Sequence, residues 1–147
     1  MTTSNYTTNF QVDQSPKEVF DAINNVLGWW SGKIEGNTDE LGAEFTYTVT
    51  NMHYSKQKIT EFTPDKKVVW YVLESNINFV NNKNEWTGTD IVFDITRKGN
   101  KTEVQFTHIG LVPAYECYNG CSNAWSELIN GNLRKLIATG KDQPSPW

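Results

Sequence analysis

The chain has 147 residues, and a domain of that size buries roughly 68–70% of the surface that its unfolded chain exposes. We expect one domain over residues 1–147, with a real core. The net charge is −4 and no Lys/Arg run exceeds two residues, so nucleic acid is not an expected partner. No segment approaches the ~18 apolar residues of a membrane span, and MTTSNYTTNF lacks the regions of a signal peptide, so we expect a cytoplasmic protein.

The first two elements follow from local patterns. Apolar and polar residues alternate from Tyr6 to Val12, which predicts a half-buried strand. Ser15 then stands as an N-cap, Pro16 takes the first helical position, and Glu18 follows three residues after the serine. This capping box predicts a short helix that begins at Pro16 and buries an apolar face formed by Val19, Phe20 and Ile23.

The next segment, GWWSGKIEGNTDELG, predicts a loop or broken helix, giving two short helices after the first strand. Trp29 and Trp30 carry too much apolar area for both to stay in water, so at least one is expected inside. Five further strands are predicted, joined by the turns TPDKK and RKGNK. Their ranges are Glu44–Thr50, Tyr54–Phe62, Lys67–Glu74, Thr87–Arg97 and Thr102–Ile109.

Between two of these strands, Ser75–Trp86 is too long for a tight hairpin and is a candidate lid or rim. From Tyr115 to Gly140, apolar residues recur at three- and four-residue spacing, which predicts one long helix. Residues 141–147 are expected to fray. The order predicts an α+β fold in which a curved antiparallel sheet wraps around the C-terminal helix and leaves a pocket between them.

The stretch FTHIGLVPAYECYNGCSNAW brings a histidine and both cysteines close together in the sequence. His108 shares a strand face with Phe106, and Cys117 and Cys121 share the apolar stripe of the helix with Trp125. β-Carbons four residues apart on a helix are about 5–6 Å apart, whereas a disulfide needs about 3.5–4.5 Å. A zinc site with the histidine is geometrically available, but a chain with two histidines makes it a minor alternative. We predict reduced thiols beside a histidine, without metal or disulfide, with Cys121 the more buried thiol.

No nucleophile elbow, phosphate loop or paired-acid motif is present. The case for an enzyme rests on His108, whose ordinary pKa suits general acid or base chemistry, and on the acids Asp90, Asp94 and Glu116. Each of these acids is more simply read as a solvated or hydrogen-bonded residue.

In order along the chain, FQVDQSPKEVFDAI, GWW, VVWYV, TEVQFTHIGL and YECYNGCSNAW resemble the START-like superfamily, also called SRPBCC. The resemblance is to the branch named for an activator of the heat-shock chaperone ATPase. It implies the helix-grip fold, with a seven-stranded sheet and a deep apolar cavity, although only six strands are predicted from the residues. It also implies several functions, because the superfamily includes lipid carriers, hormone binders, cyclases and chaperone cofactors, and fold does not choose among them.

Our leading hypothesis is a protein that binds a small apolar or aromatic molecule, lipids included, without a cofactor. Tyr47 and His108 are the expected orienting polar groups. The face of the strand that Trp70 occupies is undecided, because VVWYVL is apolar on both sides. One alternative is an enzyme with His108 as general acid or base, and another is a chaperone-associated interaction module active in stress response. The predicted ligand-binding residues are Trp30, Phe45, Tyr47, Trp70, Phe106, His108, Cys121 and Trp125.

Overall fold

The computed structural model describes residues 5–30, 33–49, 53–77, 86–111 and 118–141. Within these ranges seven strands form one antiparallel sheet in the order β1-β7-β6-β5-β4-β3-β2. The strands are β1 Tyr6–Val12, β2 Lys33–Gly36, β3 Glu44–Val49, β4 His53–Thr63, β5 Lys67–Ile77, β6 Asp90–Lys98 and β7 Lys101–Ile109.

The first helix, α1, spans Pro16–Asn24 and is followed by a single 3₁₀ turn over Val26–Gly28. The predicted capping box is confirmed, since the Ser15 hydroxyl accepts the Glu18 N–H at 3.2 Å while the Glu18 carboxylate accepts the Ser15 N–H at 3.2 Å. Val19, Phe20 and Ile23 are buried as predicted. Helix α1 therefore covers one end of the sheet with its apolar face.

Strand β2 corrects the sequence prediction, which placed its residues in a loop or broken helix. Lys33–Gly36 pairs with β3, with Ile34 opposite Tyr47 and Gly36 opposite Phe45. The strand has four residues at the sheet edge and Ile34 is its single large apolar residue, so no alternation marks it in the sequence. Gly36 has φ +107°, and a β-carbon there would press on the Glu44 carbonyl.

Two strand boundaries differ from the prediction by three residues, whereas the other predicted strand ends are within one residue. Strand β6 begins at Asp90 rather than Thr87, because Trp86–Gly88 forms a turn in which Gly88 has φ +83°. Strand β5 extends to Ile77 and Trp86 is buried, so the ends of the predicted lid are ordered structure. Residues 78–85 of that candidate lid lie outside the described residues.

The C-terminal helix runs through three parts: α2 at Tyr118–Ser126, a π-helical segment at Glu127–Leu133 and α3 at Arg134–Thr139. It ends at Gly140, whose φ of 72° is a left-handed cap. The long helix is confirmed from Tyr118 onward, and residues 112–117 and 142–147 lie outside the described residues. None of the described helices is long and apolar enough to cross a membrane.

The π-helical segment was not predicted, although the spacing of the buried residues on the helix gives a reason for it. These buried residues form a row in which each follows the last by four positions, and four residues of an α-helix turn through about 40° more than one full turn. Such a row would rotate away from the sheet, whereas a wider turn keeps it aligned. The row is Cys121, Trp125, Ile129, Leu133 and Ile137.

The core lies between the inner face of the sheet and this helix. Irregularities in the β4–β5 pairing, at Lys56/Gln57 and Ile59/Glu61, bend the sheet around the helix. At the β1 edge of the sheet, the Tyr6 hydroxyl lies 2.6 Å from the Ser126 hydroxyl of the helix. We call the packed interior between the sheet and the C-terminal helix the grip.

Candidate functional site

All eight residues predicted to bind a ligand lie in the grip, with exposed fractions between 0% and 4%. The undecided face of Trp70 is settled: it points inward and is fully buried, while the next residue, Tyr71, is 37% exposed on the outer face. Strand phase explains this, because Val68 and Val72 are fully buried on the same side. The structure thus brings the eight predicted residues together in one interior, and their role in binding a ligand stays a prediction.

Five aromatic side chains of the grip form a closed series of contacts, which we call the ring circuit. Trp30 stacks on Tyr47 at 3.9 Å between ring centroids, and Tyr47 contacts His53 at 5.3 Å. His53 meets Trp86 edge-on at 4.6 Å, Trp86 stacks on Trp125 at 5.6 Å, and Trp125 returns to Trp30 at 5.2 Å. The last four distances are within the usual range of about 4.5–7 Å for aromatic pairs, and the Trp30–Tyr47 stack is closer than that range.

Two members of the ring circuit, His53 and Trp86, were missed by sequence reasoning. Trp86 follows the polar run NNKNE, where no periodicity points inward, and His53 stands at the first position of β4. The available signal was the residue type of Trp86, since burying a tryptophan removes a large apolar area from water even when its sequence neighbours are polar. In the structure Trp86 is 4% exposed, and its ring contacts both histidines of the chain.

His108 is held by a chain of hydrogen bonds that fixes its protonated nitrogen. The indole of Trp125 can only donate, and its Nε1–H lies 3.1 Å from Nδ1 of His108, so Nδ1 is the acceptor. The proton of a neutral His108 is therefore on Nε2, which lies 2.8 Å from the Thr89 hydroxyl. Thr89 in turn donates to the Trp86 carbonyl at 2.5 Å.

Burial keeps this imidazole neutral. His108 is fully buried, and desolvation together with the nearby His53 lowers its pKa to about 3. A hydroxyl partner is present, as a catalytic histidine would require, but both nitrogens are already engaged. Strand phase turns Asp90 and Asp94 to the opposite face of β6 from Ile91 and Phe93. Neither acid of β6 therefore shares the inner face with His108, and Glu116 lies outside the described residues.

A second polar group lies on β4. The Ser55 hydroxyl is 3.0 Å from Nε2 of His53 and also accepts from the Gln57 amide. Ser55 and Gln57 are fully buried, and Ser55 pairs across the sheet with Ser75, whose hydroxyl is 2.9 Å from that of Thr87. His53 is half-buried, and burial lowers its pKa to about 4.

Three buried polar atoms of the grip have no hydrogen-bond partner in the described part of the chain: Gln57 Oε1, Trp70 Nε1 and Trp86 Nε1. Exchanging the two ends of the Gln57 amide would leave its nitrogen unpaired instead. Most buried polar groups in folded proteins are paired, so an acceptor and two donors left over in one interior need an explanation.

The thiol of Cys121 is buried at 4% exposure on the inner side of the helix, as predicted. Cys117 lies outside the described residues, so the comparison of the two thiols stays a prediction. Among the described side chains, no group of three or more His, Cys, Asp or Glu is placed to hold a metal ion.

No family model and no curated protein matches this sequence. Solved structures match over nearly the whole chain. The Aha1 dimer from Colwellia psychrerythraea is 22% identical over 94% of this chain and 98% of its own, with a TM-score of 0.75. CalU16 from Micromonospora echinospora is 13% identical over 91% of this chain and 76% of its own, with a TM-score of 0.65. DynU16, from the dynemicin biosynthetic locus, is 14% identical over 98% of this chain and 51% of its own, with a TM-score of 0.67.

Identities at this level establish the fold and not the activity. The seventh strand, absent from the residue-based prediction, is present, and the sheet wraps the C-terminal helix as the resemblance implied. The chain therefore has the helix-grip fold, the same fold as the Aha1 structure.

Proposed function

We propose that this protein binds a small molecule with an aromatic or apolar body and polar substituents in the grip between sheet and helix. The observation that carries the proposal is the set of three unpaired polar atoms, on Gln57, Trp70 and Trp86, inside an otherwise aromatic interior. Each buried polar atom without a partner costs about 1–3 kcal/mol. A ligand with hydrogen-bond donors and acceptors would pair these atoms while its rings stack on the ring circuit.

Because the rings of the grip are closely packed, a ligand cannot enter without displacing some of them. The rings of Trp30 and Tyr47 are in direct contact, and both are 2% exposed. A ligand must therefore separate neighbouring rings before it pairs the polar atoms. We expect association slower than the typical 10⁵–10⁷ M⁻¹s⁻¹, roughly, with a change in tryptophan fluorescence on binding.

DynU16 belongs to a biosynthetic locus, which supports small-molecule binding on this fold. The Aha1 structure is a dimer and raises a protein-interaction role instead. Across the described residues, the exposed large hydrophobics are Leu41, Tyr71 and Ile109. Tyr71 and Ile109 are separated by strand β6, where Asp90 stands between them. Such a dispersed set does not form the broad apolar patch of an interaction module, so the ligand-binding proposal is preferred.

Native mass spectrometry of freshly purified protein tests for a retained ligand. Calorimetric titration with 2-naphthol, 2-methylnaphthalene and oleate then tests the chemistry, because the first probe carries a hydroxyl, the second carries none and the third is a lipid. We expect saturable binding of 2-naphthol and a shift in the indole N–H signals of Trp70 and Trp86 in ¹⁵N NMR spectra.

The variant Gln57→Leu removes the unpaired acceptor, and Gln105→Leu makes the same change on the exposed outer face of β7. We expect Gln57→Leu to weaken 2-naphthol binding by about fivefold to tenfold relative to 2-methylnaphthalene, with no effect from Gln105→Leu. No retained ligand and no saturable binding of any probe would show that the grip is a solid core.

A further inference from the structure

A buried serine of the grip lies against a histidine. Strand β4 turns His53, Ser55 and Gln57 to its inner face, because residues two apart on a strand share a side. The Ser55 hydroxyl is 3.0 Å from Nε2 of His53. A serine within hydrogen-bond reach of an imidazole is a pair that nucleophilic enzymes use, in which the imidazole removes the hydroxyl proton.

Gln57 sets the direction of this hydrogen bond. Its amide N–H donates to the Ser55 oxygen, so the hydroxyl proton is left to point at His53. Nε2 of His53 is then the acceptor, and the neutral imidazole carries its proton on Nδ1. Burial lowers the pKa of His53 to about 4, which keeps the imidazole neutral near pH 7. The pair therefore has the protonation state that attack by Ser55 requires.

Neighbouring rings hold the imidazole in place. His53 contacts Tyr47 at 5.3 Å and meets Trp86 edge-on at 4.6 Å between ring centroids. Of the five rings in the ring circuit, His53 is the only one that is half-buried, since the others are at most 4% exposed. The circuit therefore reaches solvent at His53, and Ser55 is the next inward residue of β4. A ligand that separates the rings at His53 comes to the pair.

We propose that Ser55 and His53 transfer an acyl group from an aryl ester bound in the grip, an inference that rests on the proposed binding of a ligand there. The Ser55 oxygen bonds to the ester carbonyl carbon as His53 takes the hydroxyl proton. The bond from that carbon to the phenolic oxygen then breaks, and His53 gives the proton to the departing phenolate. Water repeats the sequence at the acyl-serine, which releases a carboxylic acid and restores Ser55.

The same residues limit the class of substrate. A histidine with a depressed pKa is a weak base, so attack by Ser55 is slow and the ester must have a good leaving group. Phenols leave more readily than alkyl alcohols, which favours aryl esters. Gln57 Nε2 carries two N–H groups, and the amide that contacts the Ser55 oxygen can also donate to the carbonyl oxygen of an acyl group attached there.

Hydrolysis of 2-naphthyl acetate tests the reaction, because its phenolic product is the 2-naphthol used above as a binding probe. We expect saturable release of 2-naphthol. After treatment with diethyl 4-nitrophenyl phosphate, we expect one diethylphosphoryl group on the Ser55 oxygen, located by intact-mass and peptide mass spectrometry. A label on another residue, or no label in a protein that binds 2-naphthol, would overturn the acyl transfer and leave ligand binding standing.

Variants separate the pair from background hydrolysis. Ser55→Ala removes the nucleophile and His53→Gln removes the base, and each is expected to lower kcat/KM for 2-naphthyl acetate at least about a hundredfold. Ser126→Ala is the control, since that hydroxyl pairs with Tyr6 rather than with a histidine, and it should keep the wild-type rate.

Circular dichroism and 2-naphthol binding establish that each variant is folded, and the wild-type label decides the question where a variant does not fold. Hydrolysis that persists at the wild-type rate in folded Ser55→Ala would contradict the proposal. Absence of both 2-naphthol binding and hydrolysis in the wild-type protein would refute it together with the binding proposal on which it rests.

Discussion

Trp125 donates its indole N–H to Nδ1 of His108 at 3.1 Å, and the same indole stacks on Trp86 at 5.6 Å. The helix thereby sets the protonation of a histidine on the sheet. Trp86 lies in the same interior but its own Nε1 is unpaired in the described structure. The two tryptophans therefore differ in hydrogen bonding while resembling each other in burial.

This difference gives a matched comparison. Trp125→Phe removes the donor and leaves Nδ1 of His108 buried without a partner, whereas Trp86→Phe removes a donor that has none. We expect Trp125→Phe to lower the free energy of unfolding by about 1–3 kcal/mol more than Trp86→Phe does. Urea denaturation followed by circular dichroism measures both. Equal losses would show that the hydrogen bond contributes nothing.

The two histidines predict how stability depends on pH. The pKa of His108 is about 3 in the folded state against 6.5 when unfolded, so the unfolded chain binds more protons below pH 6.5. The free energy of unfolding is therefore highest above pH 6.5 with respect to this group and decreases as the pH falls. For His108 the decrease between pH 7.5 and 5 is about 2 kcal/mol. Most carboxylates titrate below this window.

Variants separate the two histidines, because the chain has no others. His108→Gln is expected to lower stability overall but to remove at least half of the pH dependence between pH 7.5 and 5. His53→Gln is expected to remove less, because His53 is half-buried and solvent reduces its desolvation. Both folded-state pKa values lie below pH 5, so the difference between them adds little in this window. Denaturation midpoints at several pH values measure this; histidine NMR signals that titrate near 6.5 in the folded protein would contradict it.

Gln57 and Ser55 are both fully buried but differ in pairing. Gln57→Leu removes an acceptor that has no partner in the described structure together with the amide donor to Ser55, whose hydroxyl keeps its contact with His53, so we expect a loss of unfolding free energy of no more than about 1 kcal/mol. Ser55→Ala deprives His53 and Gln57 of the hydroxyl they share, and we expect a loss of about 1–3 kcal/mol. Thermal unfolding compares the two, and a larger loss for Gln57→Leu would refute the assignment of unpaired atoms.

Gly110 lies against the threonine that orients His108. A β-carbon at Gly110 would come within 2.6 Å of the Thr89 methyl, whereas one at Gly99 would meet nothing within 4 Å. Both residues have positive φ, so alanine strains the backbone at each. We expect Gly110→Ala to cost about 1–3 kcal/mol more than Gly99→Ala and to shift the His108 ring signals. Matching losses and an undisturbed His108 would count against this contact.

Several features followed from the sequence because they depend on neighbours along the chain. Ser15, Pro16 and Glu18 form their capping box within one helical turn, and His108 and Cys121 point inward because strand and helix phases are local properties. The family resemblance supplied the expectation that the sheet wraps around the C-terminal helix. From these, the burial of the predicted site residues other than Trp70 could be foreseen.

Other features depend on contacts between distant segments, which no local period encodes. Strand β2 exists because β3 offers an edge, and Trp70 is inward because the register of β5 with β4 and β6 selects one of two equally apolar faces. The protonated nitrogen of His108 follows from Trp125, on the helix, and Thr89, before β6. The ring circuit joins Trp86 and His53 to rings on three other elements. Only the packed chain decides such pairings, because it determines which of many possible neighbours each side chain meets.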